Sequence, residues 1–274
     1  MDVALARDYA IGARTVRTVC RALDIPLPPT GWLMSEKKDG LRAVWHNGKM
    51  YSRNGTEIIL PHDWQIKLPP LSLDGELAVG SRQGSGLFRR KTPDPAAWKA
   101  MGARFFVFDL YDPQQRMGVF ENRMETYRQA IATAATSTHN PDVPNWVVPM
   151  AHIPCRKPAD ADAYYNVVLS DNGEGIVLRA PRSLYEPGRT ATLLKRKETD
   201  TDTFVVQEIV PGKGKLSGKI GSIRVKRERD DAECFASSVT DPTVKQGDRV
   251  VIKFMGVSDT GVPRNASFVQ IVDE

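Results

Sequence analysis

The chain has 274 residues, 41% of them hydrophobic and 26% charged, a length that allows two domains with separate cores and a composition ordinary for a soluble globular protein. It lacks the run of about 18 apolar residues that a membrane span needs, and its opening MDVALARDYA carries Asp2 and Asp8 where a secretory leader would be basic and then apolar, so the cytoplasm is the expected compartment. The net charge of +5 admits a polyanionic partner, whereas Cys20, Cys155 and Cys234, odd in number and without a CxxC pair, exclude a disulfide framework or a cysteine-rich zinc site, and the histidines show no metal-ligand spacing.

Residues 3–24 are expected to form a helix, because Val16, Val19, Cys20 and Leu23 recur at helical spacing and Pro26 closes the pattern. Arg7, Arg14, Arg17 and Arg21 share another face, which is either a solvated surface or a phosphate contact. From 32 to 110, short β-type runs (WLMSEK, LRAVWH, KMYSR, LSLDGELAV, RFFVFDLYD) are separated by turn signals such as HNGK and SRNG. Residues 120–135 and 158–170 have helical patterns, and 174–180 and 191–197 return to strand. From about 203 the runs TFVVQEIV, GSIRVKR, DRVVIKF and SFVQIV alternate apolar and polar residues between glycine-rich turns, the pattern of a small β-barrel. The expected architecture is an α+β domain over 1–200 followed by an all-β barrel over 201–274. Charge is balanced across that tail, with 11 basic and 11 acidic residues, yet 213–229 holds seven basic residues against Glu228 alone, which predicts a basic face.

Polar clusters fall at the ends of the strand-like runs: KKDGLR (37–42), SRNG (52–55), LDGEL (73–77), EGIVLR (174–179) and LLKRK (193–197), with FFVFD (105–109) between the third and fourth. Each alone has a plain explanation, since Asp-Gly and Asn-Gly form turns and a lone charge on a strand usually faces solvent. Together they suggest phosphate chemistry. The period of two puts Lys195 and Lys197 on one face of a strand, as two ammonium groups would converge on a phosphate chain. Glu76 and Glu174 offer hard oxygens suited to a magnesium ion that keeps most of its waters, and neighbouring cations favour the neutral, nucleophilic form of a lysine.

KxDGxR, SRxG, DGE, FDxx, EGxxxR and KxK, in that order and followed by a β-barrel, resemble the covalent nucleotidyltransferases: DNA ligases, RNA ligases and mRNA capping enzymes. The match covers nearly the whole chain, and six motifs in order are specific where one is weak. The resemblance implies an adenylyltransferase domain of ATP-grasp-like fold, an OB-fold domain after it, and ATP with Mg²⁺ or Mn²⁺ as cofactors. It makes Lys37 the nucleophile that takes AMP from ATP, with Lys38 at the variable position. Ser35 falls where the family reads the adenine edge, and Glu36 is grouped with it as nucleotide-binding. Asp39 would act at the nick during sealing, and Arg42 would sit near nucleotide and nick. Arg53 and Arg189 would hold the nick 5′-phosphate, Glu76 the ribose, Phe108 the adenine face and Glu174 the metal. Lys195 and Lys197 would grip the α-phosphate.

Size, LFRRK at 87–91, expected as a basic loop, PGKGKLSGKIGSI at 211–223 and TGVPRNASF at 260–268 are most similar to the minimal ATP-dependent DNA ligases of bacteria, the E-type, and then to compact viral ligases. The implied partner is nicked duplex DNA, sealed in repair, replication or recombination by a monomer without a membrane anchor. Its phosphates would be met by Arg82, Arg89, Arg90 and Lys91 and by Lys213, Lys215 and Lys219. Arg264 stands nearest the place of the RxDK motif, which this chain lacks. An RNA ligase is the rival enzyme, and a non-catalytic OB-type nucleic-acid-binding protein is the rival from another class.

Overall fold

The computed structural model describes residues 1–8, 13–79, 82–137, 143–197, 199–258 and 260–272, and within them all side chains but those of residues 13–15, 82–85, 137 and 215. It divides into two compact units, Met1–Arg196 and Lys197–Glu274.

The first unit runs β1 (Ala4–Asp8), α1 (Ala13–Leu23), β2 (Leu33–Glu36), β3 (Leu41–His46), β4 (Lys49–Ser52), β5 (Glu57–Ile58), β6 (Leu73–Ala78), α2 (Pro95–Ala100), β7 (Arg104–Leu110), α3 (Phe120–Ser137), β8 (Val147–Pro149), β9 (Ile153–Pro154), α4 (Pro158–Ser170), β10 (Gly175–Arg179) and β11 (Gly188–Lys197), whose last residue falls in the second unit. The strands form a six-stranded sheet, β5-β4-β3-β6-β7-β8, and a five-stranded one, β1-β11-β10-β2-β9. The expected helix over 3–24 is corrected by these elements. Among the described residues the helix spans Ala13–Leu23, where Val16 and Cys20 are buried. Residues 4–8 instead form β1, parallel to β11. Arg17 and Arg21 lie exposed, as a solvated face requires; the Arg14 side chain is outside the described residues.

The predicted HNGK turn joins β3 to β4 through Asn47 and Gly48, both at positive φ (50° and 73°), as a two-residue hairpin matching strand twist demands. Between the strand layers and helices sit two cores. One gathers Trp64, Trp98, Trp146, Phe88 and Phe105 against the six-stranded sheet, with Trp64–Trp98 and Phe88–Trp98 ring centroids 5.4 and 4.9 Å apart in edge contacts. Such pairs add about 0.5–1.5 kcal/mol each beyond area burial. The other packs α1 and α4 on the five-stranded sheet through Val16, Cys20, Trp32, Ala161, Val168 and Leu178.

The second unit is an antiparallel sheet, β14-β13-β12-β15-β16, of β12 (Asp200–Pro211), β13 (Ile220–Arg227), β14 (Glu233–Ala236), β15 (Arg249–Phe254) and β16 (Ser267–Ile271). Alternate residues Phe204, Val206, Ile223, Val225, Val250, Ile252 and Phe254 line its core. Just past β14, Ser237 bridges to Ser267 at the start of β16, its N–H donating to Ala266 O (3.0 Å) and its carbonyl accepting from Phe268 N (2.9 Å).

The basic strip over 213–229 is only partly basic in space. Arg227 is buried, paired with Asp230 and set 5.6 Å from the Phe254 ring. Arg224 is shared by Glu208 and Glu233, and Lys226 pairs with Asp231. A strand must hold its polar residues against neighbours, and here those neighbours are acids of the same strand's end or of the strands paired beside it.

Candidate active site

Lys37–Gly40 carries the chain from β2 in one sheet to β3 in the other. Lys37 N donates to Gly175 O at 2.8 Å, tying the loop to the head of β10, and the preceding residue, Glu174, sits 2.6 Å from Lys37 Nζ. The Lys37 side chain is 24% exposed and that of Glu174 only 7%, so the ammonium sits at a sheltered edge. Two glycines make the approach feasible. A Cβ on Gly40 would lie 2.1 Å from Leu77 O on β6, and one on Gly75 would lie 2.5 Å from Phe106 O on β7, so both Asp-Gly pairs mark close backbone packing as much as turns.

Arg42, Glu76 and Phe106 stand in one row across β3, β6 and β7. Arg42 makes a bidentate pair with Asp74, 2.6 Å to each oxygen, and Tyr185 donates to the same carboxylate at 2.6 Å. Burial alone would lower the Arg42 pKa, but Asp74 more than offsets it, so the guanidinium stays charged. Burial, then Asp74, pushes Tyr185 up, so its hydroxyl remains a donor. Arg42 lies 4.5 Å from the centroid of Phe108, and Lys38 lies 4.7 Å from that of Phe106 while pairing with Glu36 at 2.5 Å. Two cations of the 37–42 segment thus cap two aromatics spaced by two on β7.

Glu76 is pushed up from its ordinary 4.5 to about 7, by burial first, against the pull of Lys37 and Arg42 and with further push from Glu174 and Asp74. A carboxyl whose folded pKa is raised stabilises the fold below its unfolded pKa and loses that contribution as pH climbs through the folded value. His152, which burial drives down to about 3, acts in the opposite sense, losing stability as pH falls below its usual range. The difference between wild type and Glu76→Gln isolates the carboxyl. Melting curves from pH 4.5 to 7.5 should show wild type losing stability relative to the variant as pH rises, and a constant offset would refute the raised pKa.

Asp109 is fully buried beside Asp74 in the β6–β7 register and accepts from Arg123 (2.7 Å) and Arg179 (2.5 Å). The two aspartates thus hold three guanidiniums and one phenol.

The other predicted residues are distributed as follows. Ser35 is buried on β2, and Glu36 follows it. Asp39, Arg53 and Arg189 are exposed, the last on β11. Lys195 pairs with Asp8 at 3.2 Å, and Lys197 Nζ lies 3.9 Å from Met255 Sδ. Arg89, Arg90, Lys91, Lys213 and Lys219 are exposed, but the first of these closes a 3₁₀ helix, Arg82–Arg89, where a basic loop was expected. The side chains of Arg82 and Lys215 lie outside the described residues. Arg264 is half-buried against its own loop, donating to Met255 O at 3.3 Å. Among the described residues no group of three His, Cys, Asp or Glu side chains could hold a metal unaided.

Residues 13–197 match the model of the ATP dependent DNA ligase domain. The chain belongs to that family. A DNA ligase of Haemophilus influenzae is 24% identical to this ligase over 245 residues, covering 88% of this chain and 87% of that one. A DNA ligase of Haloarcula marismortui is 23% identical over 74% of this chain but only 39% of its own length. In fold the ligase is similar to a Lig E DNA ligase described as binding DNA with a minimal scaffold (TM-score 0.77, 22% identity, 99% of both chains) and to the adenylate of a Chlorella virus DNA ligase (TM-score 0.54, 20% identity, 100% of this chain and 99% of that one). Sequence reasoning missed Asp74, Tyr185 and Phe106 in this ligase. Of these, only Phe106 carried a usable signal, since period two on β7 sets it on the face of Phe108.

Proposed function

We propose that the ligase seals 5′-phosphate/3′-hydroxyl nicks in duplex DNA and that Lys37 is the residue that carries AMP. What carries this reading is the contact of Lys37 Nζ with Glu174, made where the chain crosses between two sheets and beside Glu76, Arg42 and the aromatic face of β7. Attack requires the neutral amine, so Lys37 sheds a proton before its nitrogen bonds the α-phosphorus and pyrophosphate leaves with the broken P–O bond. The AMP then passes to the 5′-phosphate of the nick, and the 3′-hydroxyl displaces it as the phosphodiester forms. Covalent transfer divides one hard displacement into easier ones.

Phe108 offers a stacking face and Glu76 a ribose contact, while Lys195 and Lys197 are read as the α-phosphate pair. Arg42, fixed by Asp74, lies against the Phe108 ring. Glu174, with the phosphates, fits a Mg²⁺ that retains most of its waters. Such an ion would supply charge neutralisation at the phosphate. Asp39, Arg53 and Arg189 are read as nick-facing. The second unit is read as an OB-fold domain, a reading supported by its five antiparallel strands and by the Ser237–Ser267 bridge between the outermost two. No described helix is long and apolar enough to cross a membrane, and the ligase is read as a cytoplasmic monomer.

The test is a nicked duplex whose strands at the nick are DNA or RNA. Sealing of the DNA nick with ATP and Mg²⁺ is expected, and preference for RNA at the nick would transfer the reading to an RNA ligase. Replacing Lys213, Lys215 and Lys219 together by alanine should weaken nick binding and flatten its salt dependence, since each phosphate neutralised steepens the fall of log affinity with log salt by roughly 0.9. An unchanged slope across a salt series would leave DNA binding to the first unit.

A further inference from the structure

The strand β1 precedes the residues that match the family model, which begin at residue 13, yet it touches four of the site residues. Ala4 O accepts from Arg42 Nη2 at 3.1 Å, and Ala4 N reaches the Tyr185 hydroxyl at 3.4 Å, so β1 borders the Asp74 network. Arg7 Nη2 donates to Arg189 O at 3.2 Å. Asp8 is the register partner of Lys195 on β11, and its Oδ1 lies 3.2 Å from Lys195 Nζ. Backbone pairing therefore sets where the carboxylate stands, although Asp8 is 53% exposed.

We propose that Asp8 is a positioning residue for Lys195: its carboxylate engages one N–H of the ammonium and leaves the other two aimed at the α-phosphate. An ammonium has three donors and free rotation, so one fixed acceptor removes an orientational freedom that the transfer step would otherwise have to remove. Asp8 also repels the phosphates, which opposes the gain in binding. The effect therefore falls on the rate of lysyl-AMP formation more than on the ATP concentration it requires. The inference rests on reading Lys195 as the phosphate lysine.

Single-turnover adenylation with labelled ATP tests it. Asp8→Asn should slow the step by about fivefold, within the range of coupled charged pairs, with the half-saturating ATP concentration changed less than about twofold. Asp8→Glu should recover most of the rate. In a Lys195→Ala background, Asp8→Asn should have no further effect. A wild-type rate in Asp8→Asn, or an equal fivefold loss in the Lys195→Ala background, overturns the role of Asp8. A wild-type rate in Lys195→Ala alone overturns the reading of Lys195 and takes this inference with it. Tyr185→Phe, which alters the other contact of β1, serves as the comparison: if it reproduces both the slowing and the dependence on Lys195, the effect belongs to the docking of the strand and the assignment to Asp8 fails.

Discussion

Lys37→Ala should form no covalent adenylate at all, whereas Lys38→Ala should form it at close to the normal extent. The two lysines are neighbours of the same type, so the contrast depends on geometry. Lys37 Nζ meets Glu174 at the crossing between sheets, and its main chain is fixed to Gly175. Lys38 Nζ turns to Glu36 and lies over Phe106. Loss of Lys38 removes a part-exposed ion pair and a cation–π contact, each of which is worth about 0.5–1 kcal/mol. On the proposed reading, loss of Lys37 removes the amine that makes the phosphoramidate, so no residual rate is expected from binding groups alone. Intact mass and peptide mapping after incubation with ATP and Mg²⁺ decide it. AMP mapped to Lys38, or retained by Lys37→Ala, would overturn the assignment.

Asp109→Ala should be the most destabilising single change in the first unit. Its carboxylate is fully buried and is shared by Arg123, itself fully buried, and by Arg179. Removing one member of a buried ion pair leaves the other charge unsolvated, at a cost of about 3–5 kcal/mol, and here two guanidiniums are stranded. Against a total stability of about 5–15 kcal/mol for a domain, that leaves little. Asp109→Asn, which keeps the shape and one acceptor, should fall between wild type and alanine. Denaturant titration measures the order; a loss under about 1 kcal/mol in Asp109→Ala would show that solvent reaches the arginines.

The order of the motifs carried the function through the resemblance it brings, although Arg42, Glu76 and Phe108 stand within β3, β6 and β7 and not at their ends. The predicted helices at 120–135 and 158–170 correspond to Phe120–Ser137 and Pro158–Ser170. The N-terminal strand was not legible. ALARD has no strong period of its own, and its partner β11 lies more than 180 residues away in sequence, so tertiary pairing decides it. Asp74 was hidden for a related reason. Asp-Gly reads as a turn, but Gly75 sits inside β6 because Phe106 leaves no room for a side chain, and its neighbour is thereby drawn into the core. Arg227 shows the converse error, since arginine is usually a surface residue and its pairing with Asp230 and donation to Gly261 O permit burial among Phe204 and Phe254.

The tryptophan-rich core has a practical optical meaning. All five tryptophans and all seven tyrosines of the chain occur before residue 197, and three of the indoles are in mutual ring contact. Intrinsic fluorescence excited at the indole band thus follows melting of the first unit alone, with Trp64, Trp98 and Trp146 quenching or shifting together. Melting of the second unit is dark in that channel, and its progress shows instead in the amide circular dichroism of its strands. Any lag between the two signals would separate the unfolding of one unit from that of the other without a single label being attached.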